Sequence, residues 1–201
     1  MRLILIRHAE SRHIIEKIIA VRSACPGLTE TGFAQARALA QRLRTTSELG
    51  EAPVLLCSPA LRARQTAEAI ASALGLEATE DDRLIEMDTG EAEGMTGAEY
   101  EVRYGSFFPY AEPTRPFAPG GENWEQFTAR VVATQQSIAL AHPGQTVAAV
   151  THAGFIVVSF LKLMGCSPTE QRARIDPQNT ALTEWEWIEA QDQWRLVRYN
   201  T

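Results

Sequence analysis

The chain is poor in the features that would tie it to a membrane, a polyanion or a disulfide framework. No segment of the 201 residues approaches the roughly 18 consecutive apolar residues of a membrane span, and the run from Leu3 to Ile6 is too short for a signal-peptide core. Excess positive charge is also missing: at a formal net charge of -6, no general attraction to nucleic acid or anionic lipid is expected. The three cysteines, Cys25, Cys57 and Cys166, are odd in number and widely spaced. That argues against disulfides and a thiolate metal site, and leaves them as reduced packing residues. Repeats, low-complexity tracts and interdomain linkers are absent, so residues 1–201 read as one domain. A soluble cytoplasmic protein with no nucleic-acid partner and no membrane partner is expected, its oligomeric state left open.

Hydrophobic residues make up 45% of the chain, enough for a substantial core. Leu3-Ile4-Leu5-Ile6 reads as a buried strand that delivers Arg7 and His8 to its end. From Arg12 to Gly27 periodicity is lost, although Ile14, Ile15, Ile18 and Ile19 fit one face of a short helix. Thr29 is a plausible N-cap for a helix marked by Phe33, Ala36, Ala40 and Leu43. Val54–Cys57 reads as a second buried strand. Ser58-Pro59 then supplies a capping hydroxyl and a proline at the first helical position, placing Arg62 in the first turn of a helix to about Leu74.

Glu77 to Gly94 is acidic and interrupted, with Leu84-Ile85 the core-like step before Glu86. Residues 95–121, rich in Gly, Pro and aromatics, form a connection long enough to be a lid-like insertion, its aromatics more suited to packing than to reading a substrate. A helix follows Asn123 and stops before His142, and Thr146–Thr151 is a third buried strand, delivering His152. Gly154 to Met164 is apolar enough for a buried helix ending at Gly165. Thr183 to Glu189 alternates like a half-buried strand, and Trp194 to Tyr199 can pair with it through a hairpin, the tryptophans at 185, 187 and 194 packing on the sheet face. His13 and His142 are expected to face solvent.

The pattern predicts a three-layer α/β sandwich: a mostly parallel central sheet, helices on both faces, and the insertion over the crevice. In such sheets ligands bind outside the carboxyl ends of the strands, so Arg7, His8, Arg62 and His152 are expected to share one site. The amides and positive dipole end of the helix near Gly154 would join them, making a pocket suited to phosphate.

Six short motifs in one order carry a resemblance: Leu5-Ile6-Arg7-His8-Ala9-Glu10-Ser11; Gly27-Leu28-Thr29-Glu30-Thr31-Gly32 with Gln35-Ala36; Ser58-Pro59-Ala60-Leu61-Arg62-Ala63 with Thr66-Ala67; Leu84 to Gly94 around Glu86; Pro119-Gly120-Gly121-Glu122; and Val150-Thr151-His152-Ala153-Gly154. In these the chain resembles the histidine phosphatase superfamily, the phosphoglycerate mutase-like proteins. The resemblance implies a metal-independent phosphomonoesterase without a cofactor, acting on a small phosphorylated metabolite. His8 would be the nucleophile that becomes a phosphohistidine, Glu86 the acid that protonates the leaving oxygen, and Arg7, Arg62 and His152 the holders of phosphate oxygens. Glu10 matches the family as a loop-orienting residue, and Asp88 and Glu93 are the alternative carboxylates. Ala9 and Ala153 replace glycines common in the family, and Ile14 stands where many members carry a phosphate-binding asparagine.

Two other readings share these residues. A phosphoglycerate-type mutase uses the same core as a transferase, but the stretch after Glu86 is short and Arg103 and Arg115 stand apart rather than paired. A catalytically silent phosphate- or phosphopeptide-binding module is disfavoured by the joint presence of His8, Arg62, Glu86 and His152, while Ile14 speaks for it.

Overall fold

The computed structural model describes residues 1–166 and 174–201. Six strands, β1 (Arg2–Arg7), β2 (Val54–Cys57), β3 (Ala78–Glu80), β4 (Thr146–Thr151), β5 (Leu182–Ile188) and β6 (Gln193–Arg198), form one sheet in the order β3-β2-β4-β1-β5-β6. β3, β2, β4 and β1 are parallel, whereas β5 runs antiparallel to β1 and β6 antiparallel to β5. β1 is thus central, and Leu3 through Ile6 are all completely buried. A strand covered on both faces has no polar side to show, which is why it reads as a continuous apolar run.

Side chains alternate across β1 with the period of two expected of a strand. Leu3 and Leu5 pack with α5 (Trp124–Ala141) and α6 (Ala153–Leu163) through Phe127, Val131, Phe155 and Ile156. Ile4 and Ile6 pack on the other face with α2 (Glu30–Thr46) and α3 (Leu61–Leu74) through Leu39, Leu43, Ala67 and Ile70. The three layers are therefore helix, sheet, helix. Burying each aliphatic side chain of β1 stabilises the fold by roughly 1.5–3 kcal/mol.

The helix boundaries follow local chemistry. Thr29 accepts from the Gly32 amide and begins α2, and Asn123 and Gln126 form a reciprocal capping box at α5. α3 ends on Gly75 at φ +67, the left-handed conformation favoured by glycine. The start of α3 differs from expectation. Its N-cap is Ala60 rather than Ser58, so Pro59 lies before the helix, and the Ser58 hydroxyl, which accepts from the Ala60 amide at 3.3 Å, makes its shorter contact with His152.

Three segments were less legible. The acidic stretch after Glu77 contains β3, an edge strand of three residues on β2. Within Arg12 to Gly27, α1 (Arg12–Glu16) is one short helix with no buried residue. Residues 95–121 hold α4 (Gly97–Tyr104), and Tyr100, Tyr104, Phe107 and Phe117 cluster around Ala92 and Ala118. Trp185 is core, while Trp187 and Trp194 pair across β5 and β6 at 5.3 Å. Glu184 is buried despite the alternating pattern because Arg2 and Arg198 both donate to its carboxylate, at 2.8 and 2.9 Å. Among the described residues, no helix is long and apolar enough to cross a membrane.

Candidate active site

The sheet register brings the distant motifs together. Arg7 is level with Thr151, and Cys57 with Val150, so the residues that follow β1, β2 and β4 leave the sheet side by side. The His8 amide donates to the Thr151 carbonyl and the Ser58 amide to the Val150 carbonyl, both at 2.9 Å. His8, Ser58 and His152 thereby occupy one edge, as the parallel topology requires.

Arg62, 2% exposed, projects from the first turn of α3 into this edge. Its Nε donates to His8 Nε2 at 3.0 Å and its Nη2 to His152 Nδ1 at 2.9 Å. Nη1 donates to the Ala20 carbonyl at 2.9 Å and to Cys25 Sγ at 3.3 Å. A guanidinium only donates, so both facing imidazole nitrogens must be acceptors. Their other nitrogens therefore carry the protons. His8 Nδ1 donates to the Ala9 carbonyl at 2.7 Å, and His152 Nε2 to Ser58 Oγ at 2.7 Å. Burial, reinforced by the Arg62 charge, holds both histidines neutral well below their usual range.

Glu86 reaches the site from the loop after β3. Its Oε2 accepts from the Gly154 amide at 2.9 Å, in the first turn of α6, and its Oε1 from the Met87 amide at 3.1 Å. The amide expected to serve phosphate thus serves the carboxylate instead. Gly154 allows this approach, because a Cβ there would lie 2.3 Å from Glu86 Oε1. Behind the loop, Arg130 on α5 donates to the carbonyls of Arg83, Ile85 and Glu86. The same guanidinium grips both carboxylate oxygens of Glu122, at 2.7 and 2.6 Å. Thr151 ties the loop to β4 by donating to the Leu84 carbonyl at 2.7 Å.

Asp88 and Glu93 are committed elsewhere. Asp88 accepts from the Gly90 amide, and Glu93 from the amides of Val21, Arg22 and Ala24. Glu10 accepts from Thr29 through its side chain and through its backbone carbonyl, joining the end of β1 to the cap of α2. Gly32 lets that carbonyl pass, since a Cβ there would meet it at 2.0 Å.

A cavity of about 280 Å³ opens at this edge, lined by Arg7, His8, Arg62 and Glu86 among others. Arg7 donates from Nη1 to the Pro177 carbonyl at 2.6 Å, while its buried Nε has no partner among the described residues. Burial lowers its pKa, an effect opposed by Asp176 and Glu86. His152 is fully buried behind Arg62, with its ring 5.2 Å from that of His8. A wider groove of about 490 Å³ along α5 is lined by residues such as Trp124, Thr128, Val132 and Lys162. Among the described residues it brings together no cationic cluster with a nucleophile, so chemistry rather than volume locates the site.

His13 does not face solvent as expected. It lines the same cavity, with its ring 6.1 Å from that of His8. Its Nδ1 donates to Ser11 Oγ, whose own proton goes to the Gly27 carbonyl. Burial and the charges of Arg62 and Arg7 push its pKa down to about 4. Ile14 also lines the cavity but is 57% exposed. The roles of His13, Ser58 and Arg130 were missed in the sequence, because each depends on a fold contact rather than on a local pattern.

Residues 3–201 match the model of the histidine phosphatase superfamily (branch 1). The uncharacterized phosphatase PhoE of Bacillus subtilis is 30% identical over 196 residues, covering 98% of this chain and 92% of that protein. Phosphoserine phosphatase 1 of Hydrogenobacter thermophilus is 33% identical over 168 residues, covering 82% and 77%. The chain spans 41% of the length of mycobacterial relatives with which it is 34% identical over 152 residues. Among solved structures, Bacillus stearothermophilus YhfR superposes with a TM-score of 0.83 at 25% identity, covering 99% of this chain and 96% of that one. With its sheet order, its paired histidines and a family match over nearly its whole length, the chain belongs to the histidine phosphatase superfamily.

Proposed function

We propose that the protein is a metal-independent phosphomonoesterase that hydrolyses a small phosphorylated metabolite through a phosphohistidine on His8. The observation that carries this reading is the His8 tautomer. Its proton is fixed on Nδ1 by the Ala9 carbonyl, leaving a neutral Nε2 lone pair at the cationic end of the cavity. A histidine nucleophile needs that state.

In the proposed reaction the phosphate dianion accepts hydrogen bonds from Arg62 and from the Nε–H of Arg7, which has no partner among the described residues, and this releases His8 Nε2. The Nε2–P bond then forms as the ester P–O bond breaks, with charge on the equatorial oxygens stabilised by the two guanidiniums. Glu86, held against Gly154, gives a proton to the leaving oxygen. In the second half it takes a proton from the water that attacks phosphorus, freeing phosphate and restoring His8. His152 supports Arg62 at rest. In this reading it helps hold the phosphate through that guanidinium. The insertion at 95–121 is assigned as a lid over the cavity, to which it contributes Phe117.

A panel of phosphomonoesters on wild type and His8→Ala tests the reading. Free phosphate should appear with wild type and be abolished in the variant. Isomerisation of 3-phosphoglycerate without release of phosphate would make the protein a mutase, and binding without turnover would make it a silent module.

A further inference from the structure

The cavity has two unlike ends. Beyond the cationic end its wall is formed by the side chains of Ile14, Ile18, Ile19, Val21, Met87 and Phe117. Of the polar groups beside that wall, His13 keeps one atom open, the acceptor Nε2 left by donation of its Nδ1 proton to Ser11, and the rest are engaged. Ile18 donates its amide to the His13 carbonyl, Ile19 donates to Met95 and accepts from Gly94, and the Val21 amide goes to Glu93. The Ala20 carbonyl is taken by Arg62, and the Thr89 hydroxyl donates to Glu93. Phe117 is fixed by Tyr100 and Phe107, at ring distances of 4.5 and 4.9 Å. Apart from His13 Nε2, what this wall presents to a ligand is hydrocarbon.

Arg7 and Arg62 are the cations among the described residues that line the cavity, and the phosphatase reading assigns both to phosphate. Of the arginines farther out, Arg22 pairs with Asp82 at 3.1 Å, Arg103 with Glu91 at 3.6 Å and Arg115 with Glu112 at 2.9 Å, while Arg12 and Lys17, with no ion pair among the described residues, do not line the cavity. A carboxylate on the leaving group would lose water against this wall without gaining a donor, since the open nitrogen of neutral His13 only accepts, whereas a methylene would gain from burial.

We propose that the leaving group selected by this site is an uncharged, apolar alcohol, alkyl or aryl, rather than an amino acid or a hydroxy acid. The proposal rests on the phosphatase reading and narrows its substrate class. It separates this chain from its relatives named phosphoserine phosphatases.

The test is a series of n-alkyl phosphates from ethyl to octyl, with 1-naphthyl phosphate, O-phosphoserine and 3-phosphoglycerate alongside, measured as kcat/KM. The expected result is a rise of up to roughly fourfold per methylene until the cavity is filled. The two charged metabolites should fall at least about tenfold below hexyl phosphate, because a buried group left unpaired is strongly rejected. Equal or better turnover of phosphoserine or phosphoglycerate overturns the proposal, as does a flat alkyl series. Ile18→Asn should flatten the slope, and an unaltered slope in a folded variant counts against this wall. Binding of n-alkylphosphonates, measured by calorimetry, separates the two layers of the claim. If no ester is hydrolysed but affinity rises with chain length, the phosphatase reading fails and the apolar wall stands. If esters are hydrolysed and affinity is flat, the wall fails and the phosphatase reading stands.

Discussion

Arg62 Nε donates to His8 Nε2 at 3.0 Å, so the nitrogen proposed to attack phosphorus is at rest the acceptor of a guanidinium hydrogen bond. Burial and that side chain together keep the nucleophile neutral, and in the proposed reaction an arriving phosphate engages the same guanidinium. Arg62→Lys keeps the charge but not the fork that reaches His8, His152 and Ala20 together. Steady-state kinetics should show kcat/KM lowered by roughly 10²–10³. A loss of only a few fold would mean that a point charge suffices there.

Neutral histidines make stability fall on mild acidification. His8 and His152 are held well below 6.5 and His13 at about 4, so below pH 6.5 the unfolded chain binds more protons than the folded one. Stability from these groups is complete above pH 6.5 and declines as pH drops towards 5, where unfolding takes up roughly three protons. Glu48 acts in a lower window. Burial raises its pKa, but hydrogen bonds from Arg42 and Arg198 outweigh that and leave it lowered, so its contribution is lost only below the ordinary glutamate range. Urea midpoints at pH 7.5, 6.5 and 5.5 should fall steadily, and a flat profile would contradict the neutral assignments.

Gly154 and Glu86 are matched in space. In Gly154→Ala the new Cβ would lie 2.3 Å from Oε1 and displace the carboxylate. kcat should fall by roughly 10², within the range for a lost general acid. Thermal stability should change little, since alanine favours the helix. Glu86→Gln should likewise be severely slowed while still binding phosphate. Unchanged hydrolysis in Glu86→Gln would move the acid role to another carboxylate.

Arg130 does not line the cavity but grips three carbonyls of the loop that carries Glu86. Arg130→Met should release that loop and lower kcat by up to about 10², with KM little changed, because a small misplacement of a catalytic group is enough. If KM rises while kcat holds, Arg130 acts on binding instead.

The sheet and its strand-end residues were legible because both are local. An apolar run followed at once by a histidine or arginine encodes a buried strand and its delivered side chain, as at Ile6-Arg7-His8 and Val150-Thr151-His152. The start of α3 was misread because Ser58-Pro59 fits a cap by type, whereas the Ser58 hydroxyl is drawn to His152 Nε2 at 2.7 Å. His13 was misread because α1 buries nothing of its own, and only the fold turns that ring towards His8. β3 escaped because three residues on a sheet edge, largely open to water, carry no apolar signature.

The most direct test of the phosphohistidine is rapid quenching of the enzyme with a ³²P-labelled phosphomonoester. The label should be bound to protein in a form stable to base and lost in acid, map to the peptide containing His8, and be absent from His8→Ala. Release of labelled phosphate by wild type with no protein-bound label on the turnover timescale, or label retained in His8→Ala, would contradict it.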